Sequence, residues 1–179
     1  LFQKALQRHP NYPGALFNLG NTLYAQGHKK EAIQFLHQAV QLSPNYTPAL
    51  QNLGGMLFEQ GQLPKFLNLG ATYFQNGKTK PALTIYQQVL TLDPKFVAAY
   101  INLGILHYTQ GQYTDAINAF QSAVGLAPND VEGHLGLALS YEQSEQPQKA
   151  ELAFRRALSL DPQNTEARNG LKRLHSTDP

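Results

Sequence analysis

Cysteine is missing from this 179-residue chain, and methionine occurs only once. Without cysteine there is no disulfide framework, no thiolate zinc site and no cysteine nucleophile. The lack suits cytoplasm and periplasm alike, so the compartment is left open with the cytoplasm marginally favoured. Charge is also sparse: Asp, Glu, Lys and Arg make up 15% of the residues and the net charge is +2. Neither sign builds the field expected of a protein that grips nucleic acid or acidic lipid. No apolar run approaches the roughly 18 residues of a membrane span, and no secretory leader is read at the N-terminus, so direct membrane insertion is not expected. The chain starts at Leu1 and reads as a piece of something longer.

What the chain has is repetition. Leu16-Phe-Asn-Leu-Gly20, Gln51-Asn-Leu-Gly54, Leu67-Asn-Leu-Gly70 and Ile101-Asn-Leu-Gly104 are variants of one phrase. One interval separates Pro10 from Pro44, Pro94 from Pro128, Pro128 from Pro162, Gly20 from Gly54 and Gly70 from Gly104. That interval is thirty-four positions, the length of a helix, a turn and a second helix. Tyr100, Leu103, Gly104 and His107 form one stripe at helical spacing, and Ala116, Ile117, Phe120, Ala123 and Val124 form the next. Gly27, Gly61, Gly77 and Gly111 sit where a helix ends in the left-handed conformation, and Pro44, Pro94, Pro128 and Pro162 close each second helix.

These offsets resemble the tetratricopeptide repeat family: a bulky residue, Leu-Gly, aromatics, Ala and Pro. Tyr100, Leu103-Gly104, Ala116, Phe120, Ala123 and Pro128 carry the pattern, with His107 in the expected aromatic place and Tyr108 next to it, as do Leu16, Leu19-Gly20, Ala32, Leu36, Ala39 and Pro44. The unit with Leu137, Tyr141, Ala150, Phe154, Ala157 and Pro162 departs from it, with Ala138 for glycine and Glu145 at the turn. The resemblance implies an all-α fold, a right-handed superhelical solenoid of antiparallel helical hairpins. One such domain over 1–179 divides as follows: 1–12 closes a preceding repeat, 13–46 is a repeat, 47–65 is interrupted, 66–96, 97–130 and 131–164 are repeats, and 165–175 is a C-terminal capping helix. Arg168, Lys172 and Arg173 suit that helix to a solvated end.

The interruption is a shortfall of eighteen positions, and two pairs of landmarks report it independently. Gly54 and Gly70 stand sixteen positions apart where one period needs thirty-four, and Pro44 and Pro94 stand fifty apart where two periods need sixty-eight. Gln62-Leu-Pro-Lys65 opens like a second helix, yet Phe66-Leu-Asn-Leu69 already belongs to the next first helix. If first helices run parallel, the chain must climb back about 20 Å over a linker that reaches only roughly 10–15 Å. A second helix is therefore expected to be missing between about Leu63 and Leu67.

No constellation for chemistry emerges. His9, His28, His37, His107, His134 and His175 stand on different units with no ligand spacing. There is no phosphate loop or nucleophile elbow, and nothing in the sequence places two of Asp115, Glu132, Glu142 and Glu151 in one pocket. Lys29-Lys30, Lys78/Lys80, Arg155-Arg156 and Arg168/Lys172/Arg173 are too small and dispersed for a nucleic-acid surface. The expectation is a protein without catalysis, metal or cofactor.

The candidate site is the inner face that this family lines with first helices. Phe17, Asn18, Asn21 and Tyr24 lie three or four apart on one side of a helix. Asn18, Asn52, Asn68 and Asn102 repeat in register as a ladder of amides that can bond an extended backbone. Tyr24, Phe58, Phe74 and Tyr108 add aromatic surface, and Phe17, Leu67 and Ile101 add apolar contact. Two uses stay open for these residues: ligand contact, or local capping by the amides and packing of the aromatics between first helices. The ladder resembles that of O-linked N-acetylglucosamine transferases, which implies an alternative role as the substrate-presenting arm of a larger enzyme. A self-associating scaffold is a further alternative. The family's clamp for chaperone C-terminal carboxylates needs basic residues where Phe17, Gln51, Leu67 and Ile101 stand. The expected partner is thus an extended, uncharged segment of protein or peptide.

Overall fold

The computed structural model describes Leu6 and residues 9–176, so the closing half-repeat read at 1–12 lies largely outside the described residues. The described residues form ten helices and no strand: α1 Pro13–Ala25, α2 Lys29–Leu42, α3 Thr47–Glu59, α4 Leu63–Gln75, α5 Thr79–Leu92, α6 Val97–Thr109, α7 Tyr113–Leu126, α8 Val131–Gln143, α9 Pro147–Leu160 and α10 Thr165–Ser176. The architecture is an all-α helical-repeat solenoid. None of these helices is long and apolar enough to cross a membrane. The chain divides into two compact units, residues 1–94 and 95–179.

The turns explain the hairpins. At Gly27, Gly61, Gly77 and Gly111 the backbone takes φ of +65° to +87°, the left-handed region that costs glycine least. The second and third amides beyond each helix bond back to its last carbonyls: Gly61 N to Phe58 O at 2.9 Å and Gln62 N to Leu57 O at 2.8 Å, and likewise at the other three. The fifth turn has the same bonds but carries Glu145 at φ +57°.

Packing follows the small-to-aromatic rule. In the second unit Phe120 of α7 is 2% exposed and lies between α6 and α8. A Cβ on Gly104 would stand 2.8 Å from its ring, so these helices meet only because the first one has no side chain there. Around it Ile101, Ala116, Ala123, Leu137, Ala150 and Phe154 complete one core, and Ala167 of α10 closes it. Arg173 of α10 grips Glu142 of α8 with two bonds, of 2.9 and 2.7 Å.

In the first unit the shortfall is absorbed within one element. The boundary expected between residues 65 and 66 falls inside α4, which runs unbroken from Leu63 to Gln75. The climb demanded by two parallel first helices does not arise, because α4 follows α3 through the same three-residue turn that joins every other hairpin and returns beside it. Eighteen positions make one second helix with its following turn, as in Lys29 to Tyr46. They also make about five helical turns of roughly 3.6 residues, so the splice leaves the apolar stripe in phase. Leu63, Phe66, Leu67, Gly70 and Tyr73 all fall on the buried side of α4. Phe66, fully buried, fills the space beside Gly54 of α3, while Ile85 and Tyr86 of α5 pack over Gly70. The N-terminal half of α4 thus brings Phe66 to Gly54 of α3, where Gln88 of α5 also reaches and donates to Gln51 O at 2.7 Å, and its C-terminal half serves α5 as a first helix.

Candidate peptide-contact faces

On α1 and α3 the expected contact residues share a face, but several bond each other. Asn52 Nδ2 donates to Asn21 Oδ1 at 2.8 Å, an amide-to-amide link between the two first helices. The Tyr24 hydroxyl donates to Glu59 at the end of α3. That bond, with burial and the carboxylate charge, pushes the Tyr24 phenol up to about 12. Lys29 lies 5.4 Å over the Tyr24 ring and 3.9 Å from Glu59. Phe17 packs edge-on against Tyr46, with centroids 5.3 Å apart. Asn18 is exposed and its side chain has no hydrogen-bond partner among the described residues. Phe58, the register equivalent of Tyr24, is 44% exposed.

The ladder does not continue as a row onto α4. Asn52 and Asn68 were expected on equivalent helices running the same way; they lie on consecutive helices joined by a tight turn, because the shortfall reverses the chain. Asn68 is exposed, its side chain has no hydrogen-bond partner among the described residues, and its carbonyl accepts from the Thr72 hydroxyl at 2.9 Å. Phe74 is partly buried. Leu67 and Ile101 are each 6% exposed and belong to the packed interior, which corrects their assignment as contact residues. Their place beside the Asn-Leu-Gly phrase put them one step round the helix from the open side.

In the second unit Asn102 and Tyr108 of α6 are partly buried. The Tyr108 ring lies tilted against that of Tyr113, with centroids 5.6 Å apart. Burial first, then the charges of Tyr113, Glu142 and Glu166, raise its phenol above the ordinary range. Tyr108 also lines a cavity of about 250 Å³ that no expected site residue other than itself had marked. Ile105 of α6 and Leu135 and Leu139 of α8 wall it, with Phe120 at Gly136 as its floor. Glu132 and Glu166 stand at its rim. The signal was present: Gly136 lies one full period beyond Asn102, where the next amide rung belongs, and Glu132 and Glu166 are one period apart. Among the described residues no group of three or more His, Asp or Glu could hold a metal ion.

Family profiles described as tetratricopeptide repeats match residues 1–53, 97–130 and 131–164, and one described as TPR repeat matches 70–111. The chain is a tetratricopeptide repeat protein. None of these four matches takes in residues 54–69, where α4 replaces two helices. No curated protein sequence matches the chain. Among solved structures, the TPR domain of Arabidopsis OM64 shares 21% identity over 64% of this chain and 94% of its own, with a TM-score of 0.62. The first TPR of Spaghetti (RPAP3), bound to the HSP90 peptide SRMEEVD, gives the same identity, coverage of 64% and 90%, and a TM-score of 0.62. YrrB, described as a TPR protein with an unusual peptide-binding site, is 18% identical over 96% of this chain and 97% of its own, with a TM-score of 0.56. At these identities the likeness is one of fold.

Proposed function

We propose that this tetratricopeptide repeat protein is a non-catalytic scaffold that holds an extended segment of a partner protein against its first helices. One observation carries the reading. The Asn52–Asn21 and Tyr24–Glu59 bonds fix α1 and α3 side by side and still leave the Asn18 amide without a partner among the described residues and Phe58 44% exposed. An unpartnered amide can take a peptide backbone in both directions, and an exposed aromatic on a rigid helix loses little entropy on contact. That Spaghetti and YrrB are described with peptide sites supports the same use of the fold. The lining has no pair of basic side chains to grip an acidic tail: Phe17 and Gln51 hold those places, so a C-terminal carboxylate is not the expected ligand.

The test is selection of random displayed peptides on the immobilised chain. Binders are expected to lose about tenfold or more in affinity on Phe58→Ala and severalfold on Asn18→Ala, with the melting temperature unchanged for both. Selection that enriches no peptide, or binders indifferent to both substitutions, would overturn the reading.

A further inference from the structure

The cavity between α6, α8 and α10 shares no residue with the face on α1 and α3. We propose that it is a socket for one bulky apolar side chain of a partner segment, Leu, Met or Phe, with a Lys or Arg of the same segment held by Glu132 and Glu166. The proposal rests on the peptide-holding reading and names what the second unit selects.

Size argues for a side chain. About 250 Å³ lies below the roughly 300–1,000 Å³ of sites that enclose whole small molecules. The lining argues for an apolar one, since Ile105, Leu135, Leu139 and Phe120 form the walls and floor. Gly136 stands where an amide rung would project, and because a Cβ there would collide with the Phe120 ring, only glycine lets Phe120 form the floor of the cavity. An asparagine at 136 would have to displace that floor.

Charge supplies the second half. Glu132 and Glu166 occupy the same register on α8 and α10, both exposed, and neither has an ion-pair partner among the described residues. The neighbouring cation, Arg173, feels the charge of Glu166 and makes two bonds to Glu142. The rim therefore presents two carboxylates without a direct ion pair above an apolar floor. A segment that enters with Lys or Arg beside its anchor gains from both, whereas an acidic segment is repelled. The corresponding places one and two periods earlier, Ala98 and Pro64, carry no charge, so the preference is confined to this end of the chain.

The experiment selects random displayed peptides on three proteins in parallel: the full chain, the double variant Glu132→Gln/Glu166→Gln, and Gly136→Asn, each first checked for native helical content. On the full chain the enriched peptides are expected to pair a bulky apolar residue with Lys or Arg within two positions. Replacing the peptide's apolar residue by Ala should cost about 10- to 100-fold in affinity. The Gln double variant should bind the same peptides about two- to tenfold more weakly and lose their salt dependence, while peptides without a basic residue are unaffected. Gly136→Asn should abolish the apolar preference; should it fail to fold, the Gln double variant still decides. Enrichment of peptides lacking the apolar-basic pair, or pairs insensitive to the Gln substitutions, overturns this inference and leaves the scaffold reading standing. No enrichment on any of the three overturns both.

Discussion

Single residues show where the repeat is tolerant and where it is under strain. Glu145 holds a left-handed backbone that the other four hairpin turns give to glycine, and a side chain there costs about 1–2 kcal/mol. Glu145→Gly is expected to stabilise the chain by about 0.5–1 kcal/mol once glycine's greater freedom in the unfolded state is deducted, read as a shift in the denaturant midpoint. Loss of stability would mean that the Glu145 side chain makes a compensating contact. Tyr24 offers a pH-dependent test. Its phenol, raised to about 12 chiefly by the bond to Glu59, is favoured by folding in its protonated form. The bond therefore contributes fully below the ordinary tyrosine value near 10 and is lost as pH rises through 12. Tyr24→Phe should lower stability at neutral pH, and the gap from the parent chain should close between pH 10 and 12; a gap that stays constant would rule out the bond as its origin.

At the scale of elements, α4 decides how the first unit is built. Its opening turn is packed, not frayed: Leu63 is 4% exposed and Phe66 fully buried beside Gly54. Phe66→Ala should cost about 3–5 kcal/mol in chemical denaturation, whereas Phe74→Ala, on the partly open side, should cost clearly less. Equal effects would mean that the first half of α4 does not serve α3. The hairpins were legible in the sequence because their causes are local. The regular spacing of the prolines, Gly61 and its equivalents at the turns, and the Leu-Gly and aromatic positions all act within one or two turns of helix. The direction of α4 was not legible in the same way. Helical phase survives the shortfall, so Leu67-Asn-Leu-Gly70 still looked like a first helix while the chain had already reversed. For that reason the amides were expected as one ladder, and the observed link pairs Asn52 with Asn21, three places off the shared register. The cavity escaped notice for the opposite cause: it is made by a side chain that is missing, at Gly136, and by a rim shared between two helices.

For the whole molecule, the open question is whether the odd helix is required. A copy of Lys29–Tyr46 inserted after Gln62 would restore both landmarks to the full period, since its own proline, the equivalent of Pro44, falls one period beyond Pro44 itself. Each unit would then pack on its neighbours through the ordinary interface, and in such arrays stability is close to a sum of units and interfaces. The lengthened chain is expected to fold, to gain far-ultraviolet helical signal equal to one helix, and to melt no lower than the parent. A lower melting temperature or aggregation would show that the contacts of α4 with both α3 and α5 are a settled solution, not a tolerated one.

The five-turn length of the shortfall has a consequence for how such chains can change. An edit of one full period adds or removes a whole hairpin, and an edit the size of this shortfall adds or removes a helix; both keep every apolar side chain turned inward. The smaller edit acts on a helical array much as the loss of one codon acts on a reading frame: everything downstream stays intelligible. What it changes is parity. After Gly61 the chain turns back as it would into a second helix, yet it spells out the side chains of a first one.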